Sequence, residues 1–177
     1  MNDQHEHPKL SVIVPTRNRA HLLPQLIEHF DKQTWCNKEL LILDDTPGGS
    51  TAIQKLRSRY PHVRFWHSSK TQSIGSKRNQ LIEQASGELV AHFNDDDFYA
   101  PTYLESMAQE LLENGSDLVK LAGWFCFHED SRTLGYWDTT RQDLLHTVFT
   151  GRQLPSLYEG SFTSIGYRSF LTGYGAC

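Results

Sequence analysis

Three consecutive carboxylates, Asp95-Asp96-Asp97, directly follow the apolar run Leu89-Val90-Ala91-His92-Phe93. Unit charges about 4 Å apart repel by about 1 kcal/mol even in water, and by more near a protein surface. A hard divalent cation with oxygen ligands relieves that repulsion, and a metal held on few carboxylates usually holds phosphate as well. The pattern points to a metal–diphosphate site at a strand end; a solvated acidic turn is the plain alternative. Three more clusters carry polar or ionisable groups: Pro15-Thr16-Arg17, Asp44-Asp45 and Lys77-Arg78-Asn79. Asp45 could accept a hydrogen bond from a nucleoside base, or the pair could cap a turn. Lys77 or Arg78 could supply positive charge to a diphosphate, or both could lie on a solvated helix face.

Apolar periodicity frames these clusters. Residues 10–14 are a β-branched run closed by Pro15 and read as a buried strand. Leu22, Leu23, Leu26, Ile27 and Phe30 recur on one helix face, with Pro24 in the first turn, where its missing donor costs nothing. Residues 39–43 predict a second strand ending at Asp44-Asp45 and a Pro47-Gly48-Gly49-Ser50 turn. A helix through Ile53 and Leu56 and a strand over 63–66 follow. The next helix runs from Ser76 through Leu81, Ile82 and Ala85, with Gly87 expected at its C′ position. Beyond the aspartates, Leu104, Met107, Ala108, Leu111 and Leu112 predict a helix closed by Asn114-Gly115, and residues 118–125 a further strand. Phe127, Leu134, Tyr136 and Trp137 flank a polar turn, which suggests a hairpin, and 144–149 form a short amphipathic segment. Strands alternating with helices imply an α/β fold, a mostly parallel sheet with helices on both faces. Ligands of such sheets bind outside the carboxyl ends of the strands near a topological switch point. The clusters at 15–17, 44–45 and 95–97 all fall at such ends.

With 177 residues, 38% hydrophobic and 21% charged, the chain suits one globular domain rather than a disordered segment. A formal net charge of -4 gives no electrostatic case for nucleic acid. No apolar run is long enough to cross a bilayer and no signal peptide precedes Leu10, so a cytoplasmic protein is expected. Cys36, Cys126 and Cys177 are odd in number, lack metal-site spacing and read as reduced thiols. His5 and His7 belong to a polar N-terminus expected to fray.

The string SVIVPTRNR (Ser11 to Arg19), the ILDD strand end and the segment SIGSKRNQLIEQASGELVAHFNDDDFYAP (Ser73 to Pro101), in that order, resemble family 2 glycosyltransferases. The resemblance covers roughly residues 10–125. It implies a GT-A, Rossmann-like fold and an inverting, metal-dependent transfer from a nucleotide-sugar. UDP-sugar is the leading donor, Mn²⁺ or Mg²⁺ the cation, and a glycan or lipid-linked glycan the acceptor. One domain is expected, with a nucleotide-sugar-binding region over 1–125 and an acceptor-side hairpin and tail over 126–177; a homo-oligomer stays open. Position by position, the resemblance sets Pro15, Thr16 and Arg17 under base and ribose. It makes Asp45 the acceptor for a uracil N–H, lets Arg78 and Asn79 line the nucleotide site, with Lys77 beside them as a source of charge, and gives Asp95 a ribose or metal contact. The family writes its metal motif Asp-x-Asp-Asp. Here Asn94-Asp95-Asp96-Asp97 fills the slot, so the pair is either Asn94/Asp96 or Asp95/Asp97, with Asp96 and Asp97 the expected metal ligands. Trp124 and Trp137 fall on the presumed acceptor side, as sugar platforms or as packing. His92 is expected to be a hydrogen-bonded core histidine, and Tyr99 and Pro101 to shape the turn after the motif.

A single displacement needs a base opposite the leaving group. The resemblance puts it in an acidic motif shortly beyond a segment like Tyr167-Arg168-Ser169-Phe170, yet no Asp or Glu follows Glu159 before Cys177. Three expectations follow: a truncated form of a longer enzyme, which is favoured; recruitment of Glu159 or Asp138; or a sugar-nucleotide-binding module that no longer transfers. Among other classes, a phosphoacceptor signalling domain would need Lys120 as its lysine, which reads as mid-strand. A calcium-binding loop would need a glycine within the acidic run.

Overall fold

A computed structural model describes residues 7–128, 132–138, 147–148 and 164–167. In chain order its elements are β1 (Leu10–Thr16), α1 (Leu23–Asp31), β2 (Lys38–Asp44), α2 (Ser50–Arg59), β3 (Arg64–His67), α3 (Ile74–Gln84), β4 (Leu89–His92), α4 (Tyr103–Glu113), β5 (Leu118–Lys120), β6 (Gly123–His128), β7 (Thr133–Asp138), β8 (Thr147–Val148) and β9 (Ser164–Tyr167). The main sheet has the order β3-β2-β1-β4-β9-β5. Its first four strands are parallel, and β9 pairs antiparallel with β4. The chain crosses from β3 over β2 and β1 to reach β4, so the gap between the ends of β1 and β4 is a topological switch point.

Alternate residues of a strand serve opposite faces. Leu10, Val12 and Val14 of β1, with Leu40, Ile42, Leu89, Ala91 and Phe93, pack against apolar residues of α1, α2 and α4. Ile13, Leu41, Leu43 and Val90 pack against Leu81, Ile82 and Ala85 on and just after α3. Burial on both faces is why these strands read as unbroken apolar runs. Pro24 lies in the first turn of α1, as its chemistry requires. Ser73 caps α3, its hydroxyl accepting from Ser76 N at 3.1 Å, so that helix begins before the residue expected from its periodicity.

Two connections hold the loop beyond β4 in place. The Gln33 side chain, buried past the end of α1, donates to Ala100 O at 2.8 Å and accepts from Leu104 N at 3.0 Å. Thr34 N donates to Pro101 O at 2.9 Å. The loop carrying the three aspartates is thereby tied at its far end to α1. At its near end, Tyr99 stacks on Phe93 with ring centroids 3.6 Å apart, and its hydroxyl accepts from Asn94 N at 2.8 Å. Tyr99 shapes this turn, as expected.

Gly87 corrects one expectation. Ala85, the C-cap of α3, is extended, and Gly87 is not among the positive-φ residues, so it makes no left-handed C′ cap. Its constraint is space: a Cβ there would lie 2.6 Å from Lys9 O and 2.7 Å from Ser11 Oγ. Around the same contact Glu39 accepts from Ser11 Oγ, Ser86 N and Arg64 Nη1. Burial alone would raise its pKa, but these donors hold it at about 2.

The run over 118–125 is not one strand. Leu118–Lys120 joins the main sheet, whereas Gly123–His128 joins a separate antiparallel sheet, β6-β7-β8. An apolar run reports burial but not the identity of the strand it pairs with, which is a long-range property. The described residues fall into two compact units, one reaching to Val119 and including β9, the other starting at Lys120. The expected hairpin is present in the second, with Trp124 opposite Trp137 in register and Phe125 opposite Tyr136. Among the described residues no helix is long and apolar enough to cross a membrane.

Candidate functional site

Thr16 is the junction of the site. It ends β1 on the α1 side of the sheet, the parity of Leu10, Val12 and Val14, and its hydroxyl donates to Asp95 Oδ2 at 2.6 Å. Its carbonyl accepts from Lys77 Nζ at 2.9 Å, while Lys77 also donates to Asp45 Oδ1 at 2.8 Å. The other Asp45 oxygen accepts from Gln72 N at 2.8 Å. One residue at the end of the central strand thus couples the carboxylates beyond β4 to a buried ion pair between β2 and α3.

The acidic motif is compensated by a cation from the β1–α1 loop. Arg19 Nη1 donates to Asp95 Oδ1 at 2.9 Å and to Asp96 Oδ2 at 2.7 Å. Asp97 is held differently: Asn94 Nδ2 donates to its Oδ2 at 2.8 Å. Burial pushes the Asp97 carboxyl up from its ordinary pKa, the neighbouring charges of Asp96 and Asp95 add to this, and hydrogen bonds from Asn94 and Tyr99 oppose it. A carboxyl strained in this way is relieved by additional positive charge nearby. Among the described residues no group of three or more His, Cys, Asp or Glu side chains is gathered as a metal cage. Mg²⁺ and Mn²⁺ on a nucleotide need only one or two carboxylates, the rest of the shell being water and phosphate. The all-oxygen donor set of Asp95, Asp96 and Asp97 therefore fits a hard divalent ion.

The remaining expected residues divide. Pro15 is buried within β1, and Arg17 is exposed, close enough for its charge to favour ionised Asp45. Asn79 is exposed on α3. Asp45 is fully buried; burial alone would raise its pKa, but Lys77 and Gln72 hold it below the ordinary carboxylate range. Lys77, which could have lain on a solvated face, is instead buried. Asp44 does turn work: its Oδ1 accepts from Thr46 N and Oγ1.

Arg78 lies outside this network. Its Nε and Nη2 are buried and, among the described residues, meet no hydrogen-bond partner; burial lowers its pKa. His92, expected to be hydrogen-bonded, is buried with both ring nitrogens likewise unpartnered. Burial and the charge of Arg78 lower its pKa to about 3, so the ring is neutral. Strand parity accounts for this: His92 shares the α3 face with Val90, whose neighbours there are apolar.

Arg19 and Gln72 are the members of this network that sequence reasoning missed. Arg19 stood inside the SVIVPTRNR string without a periodic or pairing signal, and Gln72 acts through its backbone. Glu159 lies outside the described residues, as do the side chains of Asp138 and Trp137 and most of 144–149.

Residues 11–172 match the family model described as glycosyl transferase family 2. The chain is 33% identical over 147 residues to the uncharacterized glycosyltransferase YibD of Escherichia coli, covering 81% of this chain and 42% of that protein. It is 32% identical to the GalNAc(5)-diNAcBac-PP-undecaprenol beta-1,3-glucosyltransferase of Campylobacter jejuni, covering 60% and 35%. The chain spans less than half the length of these relatives. Among solved structures, S. aureus TarS 1-349 in complex with UDP-GlcNAc superimposes with TM-score 0.54 at 26% identity, over 62% of this chain and 33% of that one. Mannosyltransferase PcManGT from Pyrobaculum calidifontis, in complex with GDP-Man and Mn2+, gives TM-score 0.58 at 20% identity over 67% and 37%.

Proposed function

Since this chain belongs to glycosyl transferase family 2, we propose that it forms the donor site of an inverting, metal-dependent glycosyltransferase. The donor is a nucleoside-diphosphate sugar, UDP-sugar first, and the acceptor a hydroxyl of a glycan or lipid-linked glycan. The observation that carries this reading is the Thr16 junction: carboxylates for a cation and a buried Asp45–Lys77 pair meet at one switch point. The complexes with UDP-GlcNAc and with GDP-Man and Mn2+ in similar folds, and the undecaprenol-linked acceptor named for one relative, support it.

Asp96 would hold the cation, with Asp95 or Asp97 supplying a second carboxylate oxygen. When bound, the ion neutralises the diphosphate and, as a Lewis acid, stabilises the charge that grows on the leaving group. Thr16 keeps Asp95 oriented through its hydroxyl. The two unpartnered nitrogens on the Nε side of Arg78 form a fork suited to two oxygens of one anion, and we assign them to the donor's phosphates. Pro15, Arg17 and Asn79 border the nucleoside. Recognition of a base N–H by Asp45 requires the segment containing Gln72 to shift, because the carboxylate is fully buried and both oxygens are engaged.

Thermal shift with UDP, GDP and dTDP, each with and without Mn²⁺, tests the reading. Stabilisation by at least one nucleotide that needs the metal and is reversed by EDTA is expected. Equal melting in all conditions, with Mg²⁺ also tried, would sink it.

A further inference from the structure

The two cations that meet the site's carboxylates differ in freedom. Lys77 is 7% exposed and locked against Asp45, which is 0% exposed. Arg19 is 49% exposed, and one of the carboxylates it bridges, Asp96, is 48% exposed. A single nitrogen, Nη1, makes both carboxylate contacts, so the rest of the guanidinium's five donors stay available. The stem of Arg19 starts from a fixed point: Asn18, at φ 57, donates its backbone N–H to Thr46 Oγ1 at 2.6 Å. The side chain can therefore swing while its base stays put.

We propose that Arg19 is a donor-site residue with two partners in turn. In the empty site it neutralises Asp95 and Asp96; a divalent ion displaces it, and the freed guanidinium then takes the donor's diphosphate. The inference rests on the metal-site reading above. It follows from position: Arg19 occupies the carboxylate oxygens an incoming cation must use, and on leaving them it stays beside the ion that holds the phosphates. A planar fork suits phosphate oxygens.

The test uses the full chain stripped of metal, with Mn²⁺ binding read from the electron paramagnetic resonance of free Mn²⁺. Wild type, Arg19→Ala and a charge-matched control on the exposed side of α2, Lys55→Ala, are compared at fixed ionic strength. Arg19→Ala should bind Mn²⁺ alone about three- to tenfold more tightly, the scale of a partly exposed ion pair lost as competitor, and Lys55→Ala less than about twofold. At saturating Mn²⁺ the sign should reverse: UDP should bind Arg19→Ala about threefold or more weakly than wild type. Equal Mn²⁺ affinities in wild type and Arg19→Ala, equal gains in the two variants, or an unchanged UDP affinity overturns the proposal. Absence of Mn²⁺ binding in all three proteins, UDP included, overturns the metal-site reading with it.

Discussion

Lys77 and Asp45 form an ion pair 2.8 Å apart with both partners buried, one on α3 and the other just past β2. Desolvating two charges is costly, and their attraction offsets this only while both are present. Lys77→Met and Asp45→Asn should each destabilise by about 3–5 kcal/mol, because each leaves a buried group unpaired. The double variant should cost clearly less than the sum. Urea denaturation of the four proteins measures this cycle; strict additivity would mean the pair is not coupled. Because the Asp45 pKa is lowered in the fold, its contribution is fully present above the ordinary carboxyl range and is lost as pH falls through the folded value.

His92 carries the opposite kind of linkage. Its folded pKa of about 3 lies below the ordinary 6.5, so between those values the unfolded chain binds a proton that the native protein does not. Stability should fall as pH drops through that window, by about 2 kcal/mol between pH 7.5 and 5. In His92→Leu this contribution should vanish, so the variant should lose less stability than the wild type between pH 7.5 and 5. Parallel stability–pH curves would refute the assignment.

Gly87→Ala tests a steric constraint free of backbone strain. The added methyl would meet Lys9 O and Ser11 N, which belong to the start of the central strand and cannot rotate away. A loss of about 1–3 kcal/mol is expected, as for other overpacked positions. Calorimetry of the variant decides; an unchanged melting temperature would show that the strand edge gives way freely.

Thr16→Val keeps the branched shape of the residue and removes the hydroxyl that donates to Asp95. Loss of about 1 kcal/mol of orientation should weaken Mn²⁺-dependent UDP binding roughly fivefold. Thr16→Ser should restore it. Titration calorimetry with UDP at saturating Mn²⁺ measures both, and equal affinity in Val and Ser variants would remove Thr16 from the site.

The central parallel strands were legible because each carries an apolar run, a consequence of burial on two faces. The first and last of the four helices were legible from their periodicity, Leu23, Leu26, Ile27 and Phe30 in α1 being all buried. What escaped was non-local. Whether residues 118–125 formed one strand or two depended on partners far away in the chain. Gly87 was read as a helix terminator from its neighbours, whereas its reason lies 76 positions upstream at Ser11, in the approach of another backbone. At the site, residue types suggested the acidic motif and its neighbours, but not which charges would be engaged. Arg19, 76 residues before Asp95, could be joined to it only by the fold.

The carboxamide of Gln33 and the ring of Tyr99 give the loop that carries the three aspartates something like the two abutments of a bridge. Residues 94–98 run between these piers, which are planted in buried parts of the fold. Substitutions along that span should therefore retune what is held without toppling the architecture, and a change at either abutment should do the reverse.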